Sequence, residues 1–544
     1  MPCRGILGDH TVASTLGAGE PGIILLPRLL AQKVVMPENP VSAHPPVPKT
    51  VQDYIDERPL WSDGTPTSST PMTAMQWRIW SLASAGKFFE GMIVFMTGVA
   101  LPLLSREFDL SATDKGLVTA ASLAGILVGA TALGGLADTF GRKQMFIAEM
   151  VLFTVFLVAM TFAPNFPLLV LFLFGSGLAL GCDYPTAHMV ISESIPTSKR
   201  GRLVLSAFAF QAVGALFGAI IGYVILYSDA AVGDWRWMYA TAIIPALLVL
   251  VGRFFITDSP HWLANKGRVE DAEYEITRLL HRTPAYPRTV SLSSLDDPAH
   301  EHGSSGSYGA LFTRTHRRAT TLASVPWFLQ DLATYGIGIF TPTILVAVLG
   351  AESDSHSLSD VIHNDMLAAE GSAIMNVLFV AGIVAAILLV DVVGRIKLQT
   401  IGFVGTAVGL TLAALSIRPD GDHNMVLLFA GFMLFYFATN LGPNSMTYLL
   451  AGEVFPTRIR GKGAGFAASF AKVGAVLTAF LFPVLLTELG TAVLLYLLVG
   501  ASALGAAITL VFGIETRGLS LERIGDPRHE QHLRAQRAAD ASVA

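Results

Sequence analysis

The sequence predicts an all-α polytopic membrane protein, with twelve transmembrane helices in two pseudo-symmetric six-helix bundles. Composition is the first reason. Of 544 residues, 52% are hydrophobic and only 14% charged, whereas a soluble protein carries about 25% charged residues. Apolar windows of spanning length are the second, since about 20 consecutive apolar residues cross a hydrocarbon core of about 30 Å. Internal repetition is the third. Short charged motifs that follow two windows of the first half return after the matching windows of the second.

The first stretch, 1–75, is Pro-rich, polar and aperiodic ("PENPVSAHPPVPKT", "SDGTPTSSTP"), and is expected to be a disordered cytoplasmic extension. Its apolar patch "GIILLPRLLAQKVV" is too short and interrupted to span. Without a preceding basic region or a small-residue cleavage site it does not read as a signal peptide, and Met36 is an alternative start. Windows of spanning length then cover 79–104, 116–137, 144–163, 166–195, 203–226 and 235–256. A second set covers 321–350, 371–394, 397–417, 424–455, 464–489 and 491–515. The expected units are an N-terminal bundle at 76–257, a polar linker at 258–320, a C-terminal bundle at 321–516 and a tail at 517–544.

Basic residues set the expected orientation. Alternate short loops hold Arg142 and Lys143; Lys199, Arg200 and Arg202; Arg395 and Lys397; Arg458, Arg460 and Lys462. The intervening loops are poor in bases, so both termini and the linker are expected on the cytoplasmic side. Two repeats mark the same loops. "DTFGRK" (138–143) is echoed by "DVVGRI" (391–396), and "ESIPTSKRG" (193–201) by "EVFPTRIRG" (453–461). Asp138, Arg142, Glu193 and Arg200, with their counterparts Asp391, Arg395, Glu453 and Arg460, lie at helix ends. They suit ion pairs that hold one state of a rocking cycle and break in the other, a gating role.

Charges inside the apolar windows carry the functional signal. An ionised side chain at mid-bilayer costs about 2.5–3.5 kcal/mol on insertion scales, so it normally faces a cavity and has a task. Asp331 in "WFLQDLATYG" recurs with Trp327 and Tyr335 at i, i+4, i+8, which places an indole, a carboxylate and a phenol on one helical face. Desolvation disfavours the charged form of such a carboxylate, so it suits proton uptake and release; a structural pair with Lys472 is the plainer alternative. Asp183 lies in "GLALGCDYP", where glycines allow close helix approach and Pro185 frees backbone. Lys87 and Glu90 stand at i, i+3 in the first window and either pair with one another or leave Glu90 as a coupling acid. Lys472 is alone in "GFAASFAKVGAVLTAF", where it would attract an anion or answer Asp331. Asn440 and Asn444 flank a "LGP" break, and His188, one turn beyond Tyr184, reads as a packing residue.

With these motifs the chain resembles the major facilitator superfamily over about 77–525. "GGLADTFGRK" resembles its G-x-L-x-D-x-x-G-R-[KR] loop signature. "DSPHWLANKGRVEDA" and "ETRGLSLE" resemble segments of its sugar and metabolite porters. "GCDYPTAHMVISE", "WFLQDLATYG", "FATNLGPNSMTYLLAGEVFPTRIRG" and "AKVGA" are similar to the phosphate:proton symporters. That resemblance implies an anion surrounded by Tyr184, Gln211, Trp327, Asp331, Tyr335 and Asn444. It also implies proton coupling and charge balance at Asp183 and Lys472. The chain departs from the pattern in the first span, where Glu90 stands alone, at Leu173 in place of a fourth-span Arg, and in "GIGIFTP" after Tyr335.

The reading is a secondary active carrier working by alternating access, with proton-coupled symport of phosphate or a small organic acid. A sugar or polyol symporter, a drug-type proton antiporter and a non-transporting transceptor of the same fold stay open. No P-loop, nucleophile elbow or metal-ligand cluster is legible, so neither an enzyme nor ATP-driven pumping is expected. Cys3 and Cys182 are too far apart in the chain to suggest a disulfide framework or thiolate metal site. No cofactor, metal or nucleic acid is expected. The expected partners are a small-molecule substrate, protons and the lipid bilayer, with the chain acting as a monomer in the plasma or inner membrane.

Overall fold

A computed structural model of the chain describes residues 49–60, 65–133, 136–228, 231–281, 290–292, 308–349, 358–417, 424–456 and 459–517. Expectations for 1–48, for 282–289 and 293–307 of the linker, and for the tail from 518 fall outside the described residues. Among the described residues the helices of the first half are α1 (Val51–Asp56), α2 (Ala74–Phe108), α3 (Ala112–Val128), α4 (Leu136–Phe140), α5 (Arg142–Thr161) and α6 (Phe166–Ser194). They continue with α7 (Thr197–Phe208), α8 (Phe210–Tyr227), α9 (Trp235–Ala240) and α10 (Ile243–Phe254). Two short helices, α11 (Pro260–Asn265) and α12 (Val269–Leu280), begin the linker. The second half holds α13 (Arg317–Leu349), α14 (Leu358–Val393), α15 (Arg395–Leu415), α16 (Met425–Leu441), α17 (Pro443–Glu453) and α18 (Arg460–Phe512).

Among the described residues, ten segments are long and apolar enough to cross a membrane. The last of them, α18, is two spans joined at Gly490, whose φ of 77° is open to glycine and strained for a side chain. The 33-residue α13 completes the twelve-span pattern. α7 and α8 together make the fifth span, and α16 and α17 the tenth. The tenth breaks at Gly442, which Pro443 follows because a proline cannot donate to the preceding turn.

The two halves repeat each other at the end that carries the duplicated motifs. Gly141 and Gly394, with φ of 106° and 99°, each precede a helix that starts with arginine. Arg142 pairs with Glu193 at 3.2 Å, and Arg395 with Glu453 at 3.2 Å. Each glutamate also takes a hydroxyl from the start of the segment after its bundle, Ser259 for Glu193 and Thr516 for Glu453. Asp258 accepts from the Lys143 amide, and Glu515 from the amides of Arg395 and Ile396. These carboxylates satisfy N–H groups at helix starts that have no intrahelical partner. Arg395 also reaches Asp391 at 3.2 Å, while Asp391 meets Arg202 of the other half at 3.1 Å. Arg200 donates to the Gln52 side chain at 3.1 Å, and Arg460 to the Phe455 carbonyl. Asp138 lies on α4.

One expectation is corrected. The stretch 1–75 reads as disordered, yet 49–60 and 65–75 are ordered and tied to the bundle. Thr50 and Asp53 cap α1 reciprocally, and the hydrogen bonds from Thr50 hold the Asp53 carboxyl below its usual pKa. That contribution is present at neutral pH and is lost as pH falls through the folded-state value. Val51, Tyr54 and Ile55 are buried in one cluster with Ile276 and Leu279 of α12. Asp56 accepts from the Thr197 amide and hydroxyl, both at 2.7 Å, and so caps α7. A helix of six residues has too few turns for a sequence periodicity, and its apolar face is explained only by the linker helix it covers.

Replacing Ile55, which is fully buried, by Ala is expected to loosen this docking by about 2–4 kcal/mol. Hydrogen exchange of the 53–57 amides should then accelerate by tenfold or more, with the exchange of α5 and α15 unchanged. Unaltered protection at 53–57 would refute the docking.

Candidate substrate site

α2 and α8 cross backbone to backbone. A Cβ on Gly91 would run into the Gln211 carbonyl, so a glycine beside Glu90 is what brings that carboxylate to the fifth span. α13 approaches from the other half, and the second-half helix α18 supplies Lys472. Four charged side chains meet there with little access to solvent: Lys87 is 9% exposed, Glu90 2%, Asp331 1% and Lys472 7%.

Glu90 is the hub. Its Oε2 lies 2.5 Å from Lys87 Nζ, and its Oε1 lies 3.4 Å from Lys472 Nζ. Gln211 Nε2 donates to Oε1 at 3.2 Å, and the Tyr335 hydroxyl donates to it at 3.3 Å. Tyr335 in turn accepts from Lys472 at 2.6 Å and from Gln211 at 3.1 Å. Lys472 also faces Asp331 Oδ2 at 3.5 Å. Lys87 sits 3.6 Å above the centre of the Tyr184 ring, a cation–π contact. The buried Tyr184 hydroxyl has no hydrogen-bond partner among the described residues.

Both routes to this cluster are closed. Towards the motif end, the Tyr448 ring of α17 stacks on Phe208 of α7 at 4.4 Å and meets Tyr184 and Trp327 edge-on at 5.8 and 6.2 Å. Towards the far end, Thr119 of α3 donates to the Ala479 carbonyl of α18 at 2.8 Å. Glycine at position 98 lets α2 press on the Ile339 carbonyl of α13.

Of the residues singled out in the sequence, Glu90, Gln211, Asp331, Tyr335 and Lys472 come together in one network, with Tyr184 on its edge. Trp327 shares their helical face but belongs to the aromatic layer around Tyr448. Asn444 is engaged elsewhere in the second half, donating to Asn440 at 2.6 Å and accepting from Gln330 at 3.2 Å. Asn440 passes the chain on to the Phe379 carbonyl. His188 packs edge-on against Tyr448.

Asp183 departs most from the expected arrangement. It pairs with Arg253 of the sixth span at 2.7 Å, both side chains almost wholly buried. Its carboxylate lies against α2, where any side chain on Gly86 would overlap it. Arg253 also donates to the Phe146 carbonyl at 2.6 Å and lies 3.5 Å over the Phe146 ring. Glu149 of α5 accepts from Thr186 at 2.7 Å, with its second oxygen unpartnered among the described residues. Arg253, Glu149, Gln330 and Tyr448 were not singled out in the sequence. The first two are lone charges in apolar windows, the same signal that marks Asp331.

Comparison with known proteins places these features. A sequence profile for sugar (and other) transporters matches residues 68–526. The putative metabolite transport protein YaaU of Escherichia coli (strain K12) is 30% identical over 445 residues, covering 82% of this chain and 93% of its own. A putative inorganic phosphate transporter of Schizosaccharomyces pombe is 27% identical over 519 residues, covering 83% and 88%. The major facilitator superfamily proton:xylose symporter XylE, solved with 6-bromo-6-deoxy-D-glucose, superposes with a TM-score of 0.66. That likeness, at 21% identity over 83% of this chain and 98% of the other, concerns the fold.

Arg253→Met leaves Asp183 as a buried carboxylate beside Glu149 without its cation, and is expected to destabilise the protein by about 3–5 kcal/mol. Asp183→Asn in the same chain should recover a large part of that loss. Denaturation of the single and double variants in detergent measures the coupling; strictly additive losses would show that the two side chains do not act as a pair.

Proposed function

The chain belongs to the sugar (and other) transporter family of the major facilitator superfamily, and from that premise we propose that it carries a small anion together with protons by alternating access. It is a multi-pass membrane transporter. The finer reading rests on one observation: lysines from opposite bundles converge on a single buried carboxylate where the bundles meet. A site for neutral sugar has no need of two ammonium groups at its centre, whereas an anion at that depth requires compensating cations.

The cycle follows from charge balance. Without cargo, Lys87 and Lys472 are offset by Glu90 and Asp331. Protonation of Asp331, 3.5 Å from Lys472, withdraws one negative charge and frees Lys472, whose donors then suit an incoming anion. Glu90, held by Lys87, keeps the second positive charge balanced. Loss of proton and anion on the other side restores the original pairs, which lets the empty carrier return with no bare charge. The motif end takes the cytoplasmic side in this reading, because the bases cluster there. The ion pairs Arg142–Glu193 and Arg395–Glu453 hold that end in its present conformation and loosen when the bundles rock.

A sugar is the second reading, favoured by the fold shared with a xylose symporter. Uptake into proteoliposomes with an imposed inward proton gradient distinguishes the two: radiolabelled small anions are expected to accumulate and xylose is not. Asp331→Asn should abolish gradient-driven accumulation while the variant still elutes as folded protein, and full accumulation would remove Asp331 from the coupling. Arg142→Ala should slow turnover severalfold with little change in KM; an unchanged rate would refute its gating role.

A further inference from the structure

Glu90 lies inside a dense shell of donors, three on Oε1 and one on Oε2. An ionised carboxylate has about four lone-pair sites on its two oxygens, and four donors reach this one. Lys87 Nζ reaches Oε2 at 2.5 Å. Gln211 Nε2, Tyr335 OH and Lys472 Nζ reach Oε1 at 3.2, 3.3 and 3.4 Å. Three of the four come from other helices, on both sides of the boundary between the halves. The residue on its own helix, Lys87, is placed by the i, i+3 spacing and steadied by the Tyr184 ring at 3.6 Å. A plain helix-stabilising pair would need only Lys87. It would not draw a lysine, a phenol and an amide from the fifth, seventh and eleventh spans.

We infer that the Glu90 side chain occupies the seat of the transported anion's own carboxylate, and that Lys87 and Lys472 are the paired receptors that decide the cargo class. This inference rests on the anion reading above and narrows it to small monocarboxylic acids. A flat, two-oxygen group matches the shell, whereas a tetrahedral phosphate presents further oxygens that these donors do not meet. Lys87 thereby becomes a specificity-determining residue, and Glu90 is an internal competitor that the cargo's carboxylate displaces from the seat. The unpartnered Tyr184 hydroxyl, beside Lys87, is a donor for a hydroxyl or keto group next to the cargo's carboxylate.

The test is binding of radiolabelled lactate, with inorganic phosphate and xylose in parallel, to purified full-length protein at one fixed pH. Glu90→Gln removes the competitor while leaving both lysines, so the apparent Kd for lactate should fall about tenfold or more. Lys87→Met added to Glu90→Gln should return the Kd to the original value or above it. An unchanged or weaker lactate affinity in folded Glu90→Gln protein overturns the inference while the anion reading stands on its uptake data. A gain for phosphate and none for lactate overturns the carboxylate assignment. Binding of xylose and of no anion by the unaltered protein would defeat the anion reading itself, and the inference with it. Should Glu90→Gln fail to fold, Glu90→Asp retracts the carboxylate while keeping its charge. It is expected to strengthen lactate binding by about threefold, and no change would count against the seat.

Discussion

Lys87, Glu90, Asp331 and Lys472 meet where the two halves of the molecule touch, in a medium that tolerates ionised groups only as a compensated set. Removing an ammonium or carboxylate from water costs several kcal/mol even after local relaxation. The interior of the bundle returns that cost only when each charge finds an opposite one with hydrogen bonds to spare. This constraint explains why both lysines converge on Glu90. It also explains why Lys472 keeps a second partner in Asp331 and why Tyr335 and Gln211 fill the remaining directions. The same rule accounts for Asp183 and Arg253, a separate buried pair within the first half.

In the proposed cycle, compensation also makes the site a switch. The four charges lie on helices of both halves, so a complete network would tie the halves together, and a proton or an anion in place of one member would weaken the tie. The aromatic layer beside the cluster would respond to the same event. Tyr448 bridges Phe208, Tyr184 and Trp327 next to the cluster, and Tyr184 carries Lys87 on its face. A shift of Lys87 is therefore felt directly by the ring that closes the route to the motif end. Farther out, Arg142–Glu193–Ser259 and Arg395–Glu453–Thr516 repeat one arrangement in each half. A symmetric pair of clasps of this kind suits a rocking motion about a central site.

Much of this was legible in the sequence, for identifiable reasons. Twelve spans follow from the length of apolar runs, a property of the bilayer's thickness rather than of any partner. The duplicated loops gave the two halves, and the cost of a lone charge at lipid depth pointed to Asp331, Lys472 and the Lys87–Glu90 pair. The choice of partners between helices was not legible. Asp183 meets Arg253 because the long Arg253 side chain reaches from α10 to α6 and Gly86 clears space on α2, none of which residue spacing encodes. Asn444 turns into an amide chain with Asn440 and Gln330 for the same reason. The helix at Val51–Asp56 was hidden in a Pro-rich segment because its apolar side has meaning only against α12.

In the proposed cycle the site stays electrically balanced, empty or loaded, so that one proton enters with one monovalent anion. Lactate uptake into proteoliposomes at a fixed pH gradient, with membrane potentials clamped by potassium and valinomycin, tests this most directly. Initial rates are expected not to change with potential. Rates that rise steeply when the interior is made negative would show net positive charge crossing with the cargo, and would contradict that balance.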